Sequence, residues 1–289
     1  MLMLDCAGKQ DIPFLKQIWK ECFGDSDRYI NRYFDTLFDR ITIAVKRSDD
    51  NIPVSMVSML PVSLCTPDGN YPGHYIYAAA TAKAFEGKGY MSELLDYACS
   101  FAAERGDCFS CLIPATPSLF TFYQRRGYRT VSYKNMKFIS LSSRLLLADS
   151  ESVDLFSDLE EDSFFSRRRN FLKKQNAAVI FGEQYFPYLY LEMQNAGVFV
   201  TGIGETDYAV CHPDRGLLTV KETSLSEQAL TEYLPALLKR FHCAEAVAIF
   251  PTTEDSFSHN IKPHGMIRPL SSFPISLKTV HPYMGLMMD

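Results

Sequence analysis

Residues 75–97 read YIYAAATAKAFEGKGYMSELLDY, and the order of events inside this stretch decides the fold. An apolar, β-rich run reaches Thr81, a turn follows through Glu86-Gly87-Lys88-Gly89, and an amphipathic helical pattern begins near Tyr90. Strand, glycine loop and helix in that order aim free backbone N–H groups and the positive end of a helix dipole at an anion. Diphosphate is the common anion for such a loop, because small residues let it approach the backbone closely.

Upstream of this stretch, Asp11–Phe23 places Phe14, Leu15, Ile18, Trp19, Cys22 and Phe23 at helical spacing. Gly24 breaks that helix, and Asp25 or Ser26 caps a second one carrying Ile30, Tyr33, Phe34, Leu37 and Phe38. Strands are predicted over residues 41–46 and 52–65, with a turn at Asp49-Asp50-Asn51 and a hairpin connection over 66–73. Downstream, the helix from Tyr90 to Arg105 shows Met91, Leu94, Leu95, Ala98 and Ala102 on one face. A buried strand follows over 109–113. Thr116-Pro117 opens a short helix that Gly127 closes, and residues 128–141 read as paired strands.

Composition bounds the rest. Of 289 residues, 47% are hydrophobic and 22% charged, the balance of a globular protein. No apolar run approaches the roughly 20 residues that cross a bilayer, and MLMLDCAGKQD lacks the basic start of a signal peptide. Eight cysteines without a dense framework fit a reducing cytoplasm. A net charge of −5 argues against nucleic acid as a partner and is compatible with a cationic amine.

The element order, together with Phe122-Tyr123-Gln124-Arg125-Arg126-Gly127-Tyr128, resembles the GNAT (GCN5-related) N-acetyltransferase family. In that family the loop reads Q/R-x-x-G-x-G/A, and a later aromatic pair is followed within a turn by Gly and an aromatic. Gly89 fits the central glycine, whereas Glu86 stands where Gln or Arg is usual and Met91 where Gly or Ala is usual. The resemblance covers about residues 4–141. It implies an α/β (α+β) fold, a mixed and mostly antiparallel sheet flanked by helices, and acetyl-CoA as co-substrate.

On this resemblance Glu86, Gly87, Lys88, Gly89, Tyr90 and Met91 surround the pyrophosphate. Backbone N–H groups of Ala80, Thr81 and Ala82 meet the pantetheine and the thioester carbonyl, with Phe122 also at the cofactor. Tyr123 is the expected acid for the departing thiolate: a phenol of pKa about 10 serves a thiol of about 8.5 once local groups narrow the gap. The implied reaction is direct attack of a small-molecule or peptide amine on the thioester. Two alternatives stay open: a coenzyme A-binding module without chemistry, which Glu86 and Met91 favour, and an aminoacyl-tRNA-dependent transferase, which the acidic charge disfavours.

From Leu225 onward the chain echoes the first half, with an apolar-faced helix, a short strand ending at Pro251 and a late Gly265. The expected organisation is therefore two tandem halves, 1–145 with the acyl-CoA site and 146–289 degenerate. VKETSLSEQAL has no glycine where its helix begins, and Asn260-Ile261 replaces the aromatic pair. Residues 154–162 and 167–174 read as a solvated face with its own charge pairs. The apolar ending, His281 to Asp289, predicts burial of YMGLMM. By resemblance to the Eis-type branch, Asp289 and its terminal carboxylate are candidates for the catalytic base. Cys108 and Cys111 lie on one strand facing opposite sides, and the histidines form no i, i+4 pair, so no metal is expected.

Overall fold

The structure, a computed structural model, describes residues 3–139, 156–252, 260–270 and 281–288. In chain order it builds β1 (Leu4–Cys6), α1 (Ile12–Phe23), α2 (Asp27–Leu37), β2 (Thr42–Arg47), β3 (Pro53–Thr66), β4 (Gly69–Thr81), α3 (Tyr90–Glu104), β5 (Phe109–Leu112), α4 (Pro117–Gln124), β6 (Arg129–Thr130) and β7 (Tyr133–Ile139). There follow β8 (Phe156–Asp158), α5 (Glu161–Leu172), β9 (Ala178–Phe181), α6 (Phe186–Asn195), β10 (Phe199–Ile203), β11 (Asp207–Asp214) and β12 (Leu217–Thr223). The last elements are α7 (Glu227–Arg240), β13 (Glu245–Thr252), β14 (Ile261–Pro263) and β15 (Met266–Pro269).

Local signals placed most of the first-half elements. Ser26 caps α2 by accepting the Tyr29 N–H at 3.2 Å, Pro117 opens α4 behind Thr116, and Gly24 and Gly127 stop their helices at positive φ. Pro61 lies past Met59, where the ladder with β2 ends, so its missing N–H costs no bond there.

Two mixed, mostly antiparallel sheets flanked by helices result. One runs β1-β2-β3-β4-β5-β15-β6 with β9 against β3, and the other runs β14-β7-β13-β12-β11-β10-β8. Both follow one plan. Four antiparallel strands lead to a parallel neighbour (β4 with β5, β12 with β13) across a helix, α3 or α7, and an antiparallel strand follows.

The expected pairing of strands within 128–141 is not formed. β6 pairs with β15, and β7 pairs with β13 and β14. Two residues of β6 offer little ladder, while β7 meets β13 along its whole length from Tyr133↔Thr252 to Ile139↔Ala246. In exchange, Met266 and Ile267 of β15 are wholly buried beside β5 in the first sheet. The compact units therefore interleave along the chain. One comprises Met1–Thr130, Val179–Gly182 and Gly265–Ser276, and the other Val131–Ala178, Glu183–His264 and Leu277–Asp289. The expected boundary at 145/146 lies outside the described residues.

In the first unit, α3 seats Leu94, Leu95, Ala98 and Ala102 against Ala44, Val57, Met59, Ile76 and Leu112. The strand alternation of β4 sends Tyr77 to the opposite face, where its ring meets Trp19 and Tyr33 of α1 and α2. Arg47 ties this unit's start together: its guanidinium grips Asp11 through both Nη atoms at 2.8 Å and Asp5 through Nε at 2.9–3.0 Å. That grip, led by the Arg47 hydrogen bonds, holds the Asp11 carboxyl below the usual carboxylate range.

In the second unit α7 packs Leu230, Leu234, Leu237 and Leu238 on β11, β12 and β13. The expected solvated charge face fails at one position. Arg168 of α5 is buried, because Glu222 on β12 faces it with Oε1 at 2.8 Å and Oε2 at 3.2 Å. The predicted burial of YMGLMM, residues 283–288, holds at Tyr283, Met284, Met287 and Met288. No helix among the described residues is long and apolar enough to cross a membrane.

Candidate functional site

Strand β4 positions the site. It pairs with β5 only from Gly73↔Phe109 to Tyr75↔Cys111, then continues to Thr81 along β3 alone. Its far edge is thus left open beyond Tyr75, with backbone donors and acceptors that an extended ligand can pair with. A bulge in the β3–β4 register falls at this point: Met56 faces Ala80 while Ser58 faces Tyr77, so Ala78 and Ala79 stand opposite Val57 alone. Ala78 takes φ +47, the left-handed region that a side chain rarely adopts. Bulges of this kind re-aim a strand beside a site.

Ala80, Thr81 and Ala82 do not serve alike. The Ala82 N–H donates to the Val54 carbonyl at 2.9 Å, and Ala80, two residues back and paired with Met56, faces β3 by the same alternation. Thr81 turns its amide to the open edge. The three expected donors reduce to one on this account, since an antiparallel ladder uses alternate residues. Cys22 Sγ donates to the Thr81 carbonyl at 3.2 Å and Ser55 Oγ to the Ala80 carbonyl at 3.1 Å, which fixes the strand end against α1 and β3.

The loop then turns through Lys83–Phe85 and two glycines at φ +73 (Gly87) and +82 (Gly89). A Cβ at either would touch nothing within 4 Å, so conformation, not crowding, requires glycine. Gly89 is the N-cap of α3 and supplies no side-chain cap. Among the described residues the amides of Gly87, Lys88, Gly89, Tyr90 and Met91 donate to no carbonyl; the first turn closes on Gly89 O from Ser92 and Glu93. A row of unspent N–H groups at the positive end of a long helix is an anion cradle.

The charges around it sort themselves. Lys88 Nζ lies 4.8 Å from the Phe85 ring centroid. Glu86 bears on Cys22, whose thiol is pushed up chiefly by burial and then by Glu21 and Glu86. Sequence reasoning missed Arg126. It stacks on Phe122 at 3.4 Å, donates to the Phe122 carbonyl at 2.6 Å, and reaches Ser92 Oγ in the first turn of α3 with Nε at 3.1 Å. The signal was present in the paired arginines of FYQRRGY, but only folding brings α4 to the start of α3. Lys46 was missed too; its buried side chain pairs with Glu93 and lies 4.7 Å from the Tyr90 ring.

Tyr123 sits in the same cluster as Ile76 and Leu112, the residues beside the opening between β4 and β5. Its ring meets Phe122 at 5.2 Å and Tyr128 at 5.5 Å, both edge to face. Burial pushes its phenol up to about 12, with Arg126 acting in the opposite sense. The expected narrowing of the gap to a thiol is not found: burial outweighs Arg126 and widens it, and the proton is held firmly at neutral pH. His74, earlier on β4, is wholly buried with Nδ1 2.8 Å from Asp107 Oδ2, so it cannot meet an incoming amine. Burial also raises the Cys111 thiol well above its usual range. Asp289 lies outside the described residues. Among those residues no group of three or more His, Cys, Asp or Glu is placed to hold a metal ion.

The second sheet starts its helix differently. Ser226 caps α7, its Oγ accepting the Ala229 N–H at 3.2 Å, with Glu227 as first residue. The donors that α3 leaves open are here partly spent, and a carboxylate stands where an anion would approach.

Comparison with known proteins agrees with this fold. Residues 5–131 match the family model described as an acetyltransferase (GNAT) domain. A search of curated protein sequences finds no match. Among solved structures, a conserved protein from Enterococcus faecalis V583, described as a probable N-acyltransferase, superposes with a TM-score of 0.74 at 14% identity, covering 93% of this chain and 73% of that one. A GCN5-related N-acetyltransferase from Kribbella flavida gives 0.70 at 14% identity over 93% and 72%. Eis1 from Mycobacterium abscessus gives 0.65 at 11% identity over 93% and 73%. The chain thus shares the fold of these GNAT structures over 93% of its length, and its residues 5–131 match the GNAT acetyltransferase domain model in sequence as well.

Proposed function

We propose that the protein is an acyl-CoA-dependent N-acyltransferase that moves the acetyl group of acetyl-CoA to an amine by direct attack. The observation that carries this reading is the row of unspent amides from Gly87 to Met91, set at the end of a strand whose edge opens beside Tyr123. In this reading the amides and Lys88 hold the pyrophosphate, with Arg126 at the flank. The β4 edge, through Thr81, lines up the pantetheine, and Phe122 packs at the cofactor. Ala80 and Ala82 shape the strand end rather than donate, and Glu86 stays turned toward α1. Attack of the neutral amine on the thioester carbon forms the amide bond and breaks the C–S bond. The thiolate leaves with a proton from Tyr123, and a base removes the amine's surplus proton.

The acceptor is a small-molecule or peptide amine, the co-substrate enters without a metal, and the compartment is the cytoplasm. The compact unit that begins with Met1–Thr130 is proposed as the active half and the other unit as the degenerate one. Titration calorimetry with acetyl-CoA tests the site. We expect one saturable event per chain, and Gly89→Val, which forces a β-branched residue to φ +82, should weaken it at least tenfold, about the size of one charge-assisted hydrogen bond. No heat with acetyl-CoA or coenzyme A would remove the proposal.

Asp289 is proposed as the base. Deleting residues 287–289 should then lower turnover about a hundredfold or more while acetyl-CoA still binds. Unchanged turnover in the folded, shortened protein would take Asp289 out of the mechanism.

A further inference from the structure

The second sheet has its own opening between parallel strands. β12 and β13 pair from Leu217↔Glu245 to Val220↔Ala248 and then part, β12 following β11 and β13 following β7. A bulge falls at the parting here as well. Val210 faces Glu222 while Cys211 faces Val220, which leaves Lys221 as the extra residue of β12. The first sheet puts small alanines at its bulge; this one puts a lysine. The feature is confined to the second unit, with every residue named below belonging to it.

The segment 281–288 closes one side of this opening. The Tyr283 N–H donates to the Ala177 carbonyl at 2.8 Å and its hydroxyl to Glu222 Oε2 at 2.5 Å. Arg168 Nη2 donates to the Gly285 carbonyl at 2.9 Å, and His264 Nε2 lies 3.1 Å from the Met284 carbonyl oxygen. What remains is a cavity of about 250 Å3, walled by Phe250, Met284 and Leu286 and carrying Lys134 and Lys221. Among the described residues no acidic side chain lines it. The buried carboxylate next to Lys221 in the chain, Glu222, is already shared by Arg168, Tyr208 and Tyr283. Neither lysine has a carboxylate partner among the described residues.

We propose that this cavity is a binding site for a small organic anion, a carboxylate with a compact apolar body, held by Lys221 and Lys134 over Phe250, Met284 and Leu286. Like-charged lysines in one partly enclosed chamber repel unless an anion lies between them, and the volume, just below the usual range of drug-sized ligand pockets, suits a compact ligand. The apolar wall selects against a bare inorganic ion. The site is separate from the acyl-CoA proposal, because the opening of β4 and β5 contributes nothing to it.

An NMR titration of the full chain with sodium benzoate tests this. Saturable shifts are expected at the amides of residues 133–134, 221, 249–250 and 284–286. Lys221→Ala, a partly exposed position, should weaken binding at least tenfold, as the loss of one charge-assisted contact predicts, and Lys134→Ala should weaken it in the same direction. Acetyl-CoA affinity should be equal in wild type and Lys221→Ala. Absence of saturable shifts at these amides would overturn the site, as would benzoate binding indifferent to Lys221→Ala. Inorganic phosphate binding as tightly as benzoate would overturn the ligand class.

Discussion

Replacing Tyr123 with Phe should lower kcat by about a hundredfold or more, the usual worth of a positioned acid, with the acetyl-CoA dissociation constant unchanged. The fold should tolerate the change. The ring keeps its contacts with Phe122 and Tyr128, and no side chain among the described residues pairs with the hydroxyl, so the loss in stability should stay below about 1 kcal/mol. A core tyrosine without a chemical role would show the reverse pattern, unaltered kcat with a stability change at most. The pH profile supplies a second readout. An acid works below its own pKa, and burial holds this one up to about 12. Between pH 7 and 10 kcat should therefore show no descending limb from loss of the acid, and any ascending limb belongs to the base or to the amine. A descending limb in that range that disappears in Tyr123→Phe would place the working pKa far lower and contradict the burial seen around the phenol.

Glu222→Ala should be the most damaging single change to stability, at about 3–5 kcal/mol. Glu222 and Arg168 are both buried, and the carboxylate also receives the hydroxyls of Tyr208, at 2.7 Å, and Tyr283. Removing it strands one buried guanidinium and two buried phenols at once. Burial and the Glu222 charge push both phenols far above their ordinary range, so they stay donors at any working pH. In thermal denaturation the expected loss corresponds to a drop of roughly 10 °C. Arg168→Met with Glu222→Leu should recover a large part of it, because two apolar residues leave no uncompensated charge. A single variant with the melting temperature of the wild type would show that the network carries no net stability. Hydrogen exchange should localise the damage to β12, α5 and the 281–288 segment, which the network joins.

The first-half elements were legible because their signals are local. Gly24, Ser26, Pro117 and Gly127 act within a turn of where they stand, and the apolar, β-rich run that ends at Thr81 is read from its own residues. Gly87 and Gly89 were likewise readable, since a left-handed backbone is a property of the residue itself. Arg126, Lys46 and the Arg168–Glu222 pair were not, because each partner lies tens of residues away and the sequence does not record which faces meet. A charge run such as 167–174 gives the same pattern whether one arginine is sealed beneath a strand or all are in water.

By itself, then, the sequence determined the strand–loop–helix cradle, its glycine conformations and the aromatic pair at Phe122 and Tyr123. Tertiary structure alone decided which strand completes which sheet. β6 and β7 are adjacent in the chain and look like a hairpin, yet β7 gains a full ladder with β13 while Met266 and Ile267 bury beside β5. Ladder length and apolar burial are sums over partners distant in sequence, so no local pattern could have chosen between the two pairings.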